Sequence, residues 1–264
     1  MVLEYMIEVA NLKFAYSGHP PLFDTFDLEV RRGEAWSIIG PSGCGKSTFL
    51  YLLAGLRRPT DGIIRIAGVP VTRPRPQTGL VLQDHGLMPW ATVRENARLG
   101  LTIRELYGPD GRHAPADTKI DRQIADRQID YWLQWLGIEG LKDKYPSQLS
   151  RGQRQRTAIA RTLVLEPDLL LMDEPFSALD APIRIDLQNV MTEFNRQAKM
   201  TSITVTHDIE EAVFLGRKIL LLGGSCNQNP PTIDNQFAGR VEERNSHHFQ
   251  KQCEELRSLL GRCS

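Results

Sequence analysis

Gly40-Pro41-Ser42-Gly43-Cys44-Gly45-Lys46-Ser47 follows the apolar run Ala35-Trp36-Ser37-Ile38-Ile39 and opens a stretch, residues 46–56, whose spacing predicts a helix. These eight residues match G-x-x-x-x-G-K-[ST] in the strand-to-helix setting that the pattern requires. Glycines in such a loop let backbone N–H groups converge on a β-phosphate, and the following helix adds its positive dipole end. Gly40, Pro41, Ser42, Gly43, Cys44, Gly45, Lys46, Ser47 and Thr48 are therefore candidate nucleotide-binding residues. Lys46 is expected to span the β- and γ-phosphates, and the Ser47 hydroxyl to ligate Mg²⁺. Cys44 is expected to face away from phosphate and to carry no redox role.

A second stretch completes this chemistry. In Leu169-Leu170-Leu171-Met172-Asp173-Glu174 four apolar residues end in two carboxylates, the usual end of a buried strand. Asp173 stands where a carboxylate holds Mg²⁺. Glu174 is expected to point the other way, towards the γ-phosphate, and to orient and deprotonate the attacking water.

Composition sets the outer bounds. The 264 residues suffice for one large domain, or one domain with an inserted subdomain. Lys plus Arg and Asp plus Glu each number 32, so no global field draws the chain to nucleic acid or an anionic membrane. No apolar run approaches the ~20 residues of a membrane-spanning helix. The N-terminus carries an early Glu and no basic region, and does not read as a secretion signal. Cys44, Cys226, Cys253 and Cys263 lack metal-ligand spacing, consistent with a reducing compartment.

Up to about residue 90 the pattern is mainly β. Phe26, Leu28 and Val30 alternate, residues 62–68 suggest a hairpin strand, and residues 78–83 a buried strand. Residues 93–106 and 120–136 then carry helical spacing, joined by a polar loop over 107–117. This shift predicts an inserted helical subdomain that ends near Arg151, where a long helix begins. β-type runs at 168–172, 201–205 and 218–222 alternate with helical segments 181–199 and 208–216, as in a parallel sheet with crossover helices. Residues 223–240 read as loop. Residues 248–260 read as an amphipathic helix that packs Phe249, Leu256, Leu259 and Leu260 on the domain.

A third stretch, Leu149-Ser150-Arg151-Gly152-Gln153 followed by Arg154-Gln155-Arg156, resembles the signature motif of ATP-binding cassette (ABC) ATPases. Other matching positions occur in that family's order. Tyr16 stands where an aromatic stacks on adenine, Gln83 where the lid glutamine follows a strand, Ser177-Ala178-Leu179-Asp180 at the D-loop, and His207 at the switch histidine. The resemblance covers residues 7–223 and implies a P-loop NTPase (RecA-like) α/β core, an N-terminal antiparallel β subdomain and an inserted helical subdomain. It divides the chain into a core of 1–90 and 152–223, a helical part of 91–151, and a C-terminal loop and helix of 224–264.

The resemblance also implies a mechanism. Ser150, Gly152 and Gln153 would cap, in trans, the γ-phosphate of ATP held by another subunit's phosphate loop. The partner would be a second copy or a paired cassette. Gln83 would couple the γ-phosphate and Mg²⁺ to the helical subdomain, His207 would hold the γ-phosphate and position Glu174, and Asp180 would link two composite sites. Arg151 departs from the usual glycine: either it projects outward, which intact Ser150, Gly152 and Gln153 favour, or it crowds the partner's loop.

Residues 83–96 would receive a coupling helix of an integral membrane permease. Leu87, Met88 and Trp90 either face that partner or belong to the helical core. Met88-Pro89-Trp90 and Thr206–Leu215 are similar to importer ATPases of the nitrate, sulfonate and taurine group, peripheral to the cytoplasmic face of the inner membrane and served indirectly by a solute-binding protein. A soluble ATPase acting on ribosomes or chromosomes is the competing reading. It predicts a long coiled coil or a second cassette, and the sequence has neither. A small-molecule kinase would leave residues 149–153 and Asp180 without a purpose.

Overall fold

The computed structural model describes residues 4–107, 121–177, 179–224 and 226–262. Most of the loop expected at 107–117, together with Ala178 and Cys263, lies outside them. The chain forms an antiparallel sheet, a larger and mostly parallel sheet, and helices, as the α/β reading expects.

The antiparallel sheet contains β1 (Tyr5–Ala15), β2 (Pro21–Arg31), β4 (Asp61–Ile66) and β5 (Val69–Pro70) in the order β2-β1-β4-β5. Along β2, buried Phe26, Leu28 and Val30 alternate with exposed Asp27, Glu29 and Arg31, which is how a strand with one wet face must read. The hairpin read from residues 62–68 is the pairing of β4 with β5.

The second sheet contains β3 (Ala35–Ile39), β6 (Thr78–Val81), β7 (Leu169–Asp173), β8 (Thr201–Val205), β9 (Lys218–Leu221) and β10 (Thr232–Asp234), ordered β10-β9-β3-β8-β7-β6. Every residue of β7 and β8 is buried, because helices or the other sheet cover both faces. Leu169 and Leu171 join a core with α1 (Lys46–Leu53) and the antiparallel sheet. Leu170 and Met172 point into the opposite core, with α2 (Val93–Tyr107), α3 (Arg122–Trp135), α4 (Arg151–Leu163), α5 (Ala181–Ala198), α6 (Ile209–Leu215) and α7 (His247–Arg262). Each fully buried Leu or Ile contributes roughly 1.5–3 kcal/mol, so this double burial anchors the sheet.

Register then places the site. Val205 pairs with both Ile38 of β3 and Asp173 of β7, so the three strands end level. Gly40, Glu174 and Thr206 consequently leave the sheet along one edge.

Several expected boundaries differ. Helix α1 ends at Leu53 rather than residue 56, because Ala54 caps it and Gly55 turns to φ +71°. Strand β6 stops at Val81, two residues before Gln83. The segment read as loop over 223–240 contains β10, which pairs antiparallel with β9, so the sheet is mixed rather than wholly parallel. Helix α7 packs as expected: Phe249 and Leu256 are fully buried, and Leu259 and Leu260 pack against the same core.

Candidate functional site

The loop between β3 and α1 begins a cleft of about 760 Å³ lined by Tyr16, Ser42, Gly43, Gly45, Lys46, Ser47, Thr48 and Glu174. Gly45 has φ +103°, and a Cβ there would lie 3.2 Å from the Phe23 ring. Both the left-handed backbone and the tight approach call for glycine. Lys46 crosses the loop and donates from Nζ to the carbonyls of Gly40 and Pro41, each at 2.8 Å. Cys44 is 2 % exposed, faces inward as expected, and burial raises its thiol pKa.

Ser47 Oγ donates to Asp173 Oδ1 at 2.9 Å. One helical turn later Tyr51 donates to Asp173 Oδ2 at 3.4 Å. Asp173 is 3 % exposed. Burial is the main cause that raises its pKa, helped by the neighbouring Glu174 charge and opposed by the Ser47 and Tyr51 hydrogen bonds and by Lys46. A hydroxyl and a carboxylate this close are a donor set suited to a hard cation such as Mg²⁺. No cluster of three His, Cys, Asp or Glu exists among the described residues, so the other ligands would have to come from phosphate and water, as Mg²⁺ prefers.

The chain leaves β7 at Glu174 with φ +46°, a sparsely populated conformation for a residue with a side chain. The turn aims the carboxylate into the cleft. Gln83 Nε2 donates to Glu174 Oε2 at 3.0 Å, and His207 Nδ1 lies 3.2 Å from Glu174 Oε1. The three residues expected to act together therefore meet, although 91 positions separate Gln83 from Glu174 in the chain.

Tyr16 lies at the other end of the cleft. Its hydroxyl shares a 3.1 Å hydrogen bond with Thr48 Oγ1, and the Arg57 guanidinium sits 5.3 Å from its ring centroid.

The signature residues are elsewhere. Ser150, exposed, caps α4: its Oγ accepts from Gln153 N, while Gln153 Oε1 accepts from Ser150 N. Ser150, Arg151, Gly152 and Asp180 line a separate cleft of about 290 Å³ with Leu179 and Ile183. A Cβ on Gly152 would come within 2.7 Å of Ile183 Cγ2, so packing within the protomer calls for glycine there, while Arg151 is exposed and lines the same cleft. Asp180 occupies the N-cap position of α5 without using its side chain as a cap.

The edge over 83–96 is held from inside. Fully buried Asn96 accepts from Met88 N and donates to the carbonyls of Met88, Ala91 and Thr92. Trp90 is 75 % exposed, while Leu87 and Met88 are half-buried. Arg161 of α4 donates to the carbonyls of His85 and Gly86 at 2.8 and 2.6 Å.

Sequence reading missed four residues here. Tyr51 was detectable as the i+4 neighbour of Ser47 on one helix face. Arg161, Asn96 and Asn227 carried no such signal. Asn227 joins the C-terminal segment to the phosphate loop by donating to the Cys44 carbonyl at 3.2 Å.

A family model described as ABC transporter matches residues 23–177. The aliphatic sulfonates import ATP-binding protein SsuB of Bacillus cereus is 34 % identical over 92 % of this chain and 90 % of its own length. The bicarbonate transport ATP-binding protein CmpC of Synechococcus elongatus is 44 % identical over 74 % of this chain and 28 % of its own. Among solved structures, a dimeric post-hydrolysis state of the ATP-binding cassette MJ0796 bound to ADP and Pi aligns with a TM-score of 0.72 at 28 % identity. That alignment covers 87 % of this chain and 98 % of the other.

Proposed function

The chain belongs to the ABC transporter ATP-binding family, and we propose that two cassettes clamp ATP between them to drive uptake through a membrane permease. Members of this family are ATPases coupled to transport, and this chain is one. The observation that carries the proposal is the placement of two half-sites on one protomer. Lys46, Ser47, Asp173, Glu174, Gln83 and His207 converge at one edge, while Ser150 is exposed in a different cleft. A phosphate loop and a signature helix that do not meet within a protomer can meet between two.

In the closed pair each residue has a task. Loop N–H groups and Lys46 hold the phosphates, the Tyr16 ring offers its face to adenine, and Thr48 fixes that ring through its hydroxyl. Ser150, with Gly152 and Gln153 at the start of α4, brings a hydroxyl and a positive helix end to the partner's γ-phosphate. Ser47, Asp173 and Gln83 would hold Mg²⁺, which offsets the charge that develops on the transferred phosphoryl group. Glu174 accepts the proton of the attacking water, and Gln83 and His207 keep its carboxylate aimed. Asp180, beside the signature cleft, links the two composite sites.

Residues 1–90 and 152–223 act as the core, 91–151 as the helical part, and 224–264 as a C-terminal appendage. No helix among the described residues is long and apolar enough to cross a membrane. The chain works peripherally at the cytoplasmic face, and the edge over 83–96, with Trp90 outermost, receives the permease. Similarity to SsuB and CmpC supports a small oxyanion solute such as a sulfonate, nitrate or bicarbonate. ATP-dependent pairing of the Glu174→Gln variant, measured by light scattering, tests the clamp: a monomer at saturating ATP contradicts it.

A further inference from the structure

Behind the nucleotide cleft a chain of buried polar side chains runs towards the C-terminal segment. Glu211, 3 % exposed on α6, accepts through Oε2 from Gln188 Nε2 at 3.3 Å. Gln188, 1 % exposed on α5, in turn accepts through Oε1 from the guanidinium of Arg244. Arg244 follows the short 3-10 turn Val241–Glu243, and its guanidinium carbon stands 4.1 Å from the Phe214 ring centroid. In the other direction Glu211 N donates to Asp208 Oδ1 at 3.2 Å, and the nearby Thr206 side chain counters the rise in the Glu211 pKa. Thr206 Oγ1 also accepts from Asp208 N at 3.0 Å, so it braces both flanks of His207. His207 Nδ1 lies 3.2 Å from Glu174 Oε1. Hydrogen bonds therefore run from the C-terminal segment to Thr206 and Asp208, the two residues that flank His207.

Packing alone does not account for this polarity. Glu211 Oε1 and Arg244 Nη1 are both buried without a hydrogen-bond partner among the described residues. Leaving such a group unpaired is unfavourable, and apolar side chains of similar size would avoid it.

We propose that Arg244 is a positioning residue for ATP hydrolysis: through Gln188, Glu211 and Asp208 it fixes His207 against Glu174, making the C-terminal segment part of the hydrolytic machinery. The inference rests on the roles assigned above to His207 and Glu174. Burial, reinforced by Asp208 and opposed by Thr206, Arg184 and Gln188, lifts the Glu211 carboxyl to about 8. The charged groups around the relay are Arg184 on α5, Asp208 at the N-cap of α6, Glu210 on α6, and Arg244 itself. Glu254 and Arg257 on α7 face the same cluster across Cys253. The relay is thus neutral at Glu211 near pH 7 and anionic above pH ~8.

Steady-state ATP turnover of the full chain, followed from about pH 6.5 to 9.5, tests the relay. Arg244→Ala is expected to lower kcat about tenfold with KM for ATP within twofold, because positioning acts on the transition state rather than on binding. Arg244→Lys should recover part of that loss. The alkaline inflection near pH 8 should vanish in Glu211→Gln and move to higher pH in Arg244→Ala, which removes a cation beside the carboxyl. His207→Ala is the reference. If it abolishes turnover while Arg244→Ala leaves kcat intact, the relay is wrong and the site reading stands. If His207→Ala itself is silent, the site reading fails. Should Arg244→Ala not fold, an inflection unchanged in Glu211→Gln overturns the relay.

Discussion

Ser47 donates to the carboxylate of Asp173 across 2.9 Å, tying the first turn of α1 to the end of β7. That carboxylate is 3 % exposed, and its pKa is raised chiefly by burial. Its charged form therefore opposes folding until a cation arrives. The folded pKa lies above the unfolded one, so this group's contribution to stability is fully present below the unfolded pKa and is lost as pH rises through the folded value. Asp173→Asn removes that cost at neutral pH. The variant should melt a few degrees higher than the parent without nucleotide, about 2–4 °C for each kcal/mol gained in a chain of this size. It should also lose most of its Mg²⁺-dependent hydrolysis. Calorimetry and a phosphate-release assay, run side by side, check both halves.

Glu211 makes a second linkage argument. With a folded pKa of about 8 against an ordinary 4.5, the folded state holds a proton that the unfolded state releases. Stability should then decline from about pH 4.5 upward until the pH passes about 8. Glu211→Gln lacks this titration. Its melting temperature, measured between pH 5 and 8.5, is expected to fall less steeply than the parent's, and parallel slopes would refute the assignment.

Gly152 is constrained by packing, since a Cβ there meets Ile183 Cγ2 at 2.7 Å. Overpacking of this kind costs roughly 1–3 kcal/mol, so Gly152→Ala should lower the melting temperature by several degrees. Ile183→Val, which removes a methylene from the same contact, should recover part of the loss. Arg151→Gly, at an exposed first helical position, is expected to cost no more than its helix propensity, about 1 kcal/mol.

The parts of the site that are contiguous in sequence were readable, because their signals are local. The phosphate loop needs glycines at fixed spacing, β7 an uninterrupted apolar run, and α4 a Ser150–Gln153 capping box. Glu174 was readable from the carboxylate pair at the strand end, whereas Gln83 and His207 were readable only through the family's order of motifs. Their meeting depends on sheet register, which places Asp173 level with Val205. Arg161, Asn227 and Arg244 were not readable. Each holds a partner 56 or more positions away in the chain, and nothing beside them in sequence marks the contact. Strand β10 escaped for a different reason: it is three residues long, follows Pro231 and survives only as an edge on β9.

The central claim is that neither protomer holds a complete site, and complementation between two inactive variants tests it most directly. Lys46→Ala disables the phosphate loop. Ser150→Asp keeps a good helix cap but sets a negative charge against the γ-phosphate. Mixed in equal amounts, the two variants should regain roughly a quarter of wild-type hydrolysis, because half of randomly formed pairs carry one intact composite site. A mixture no more active than its separate components would contradict the account.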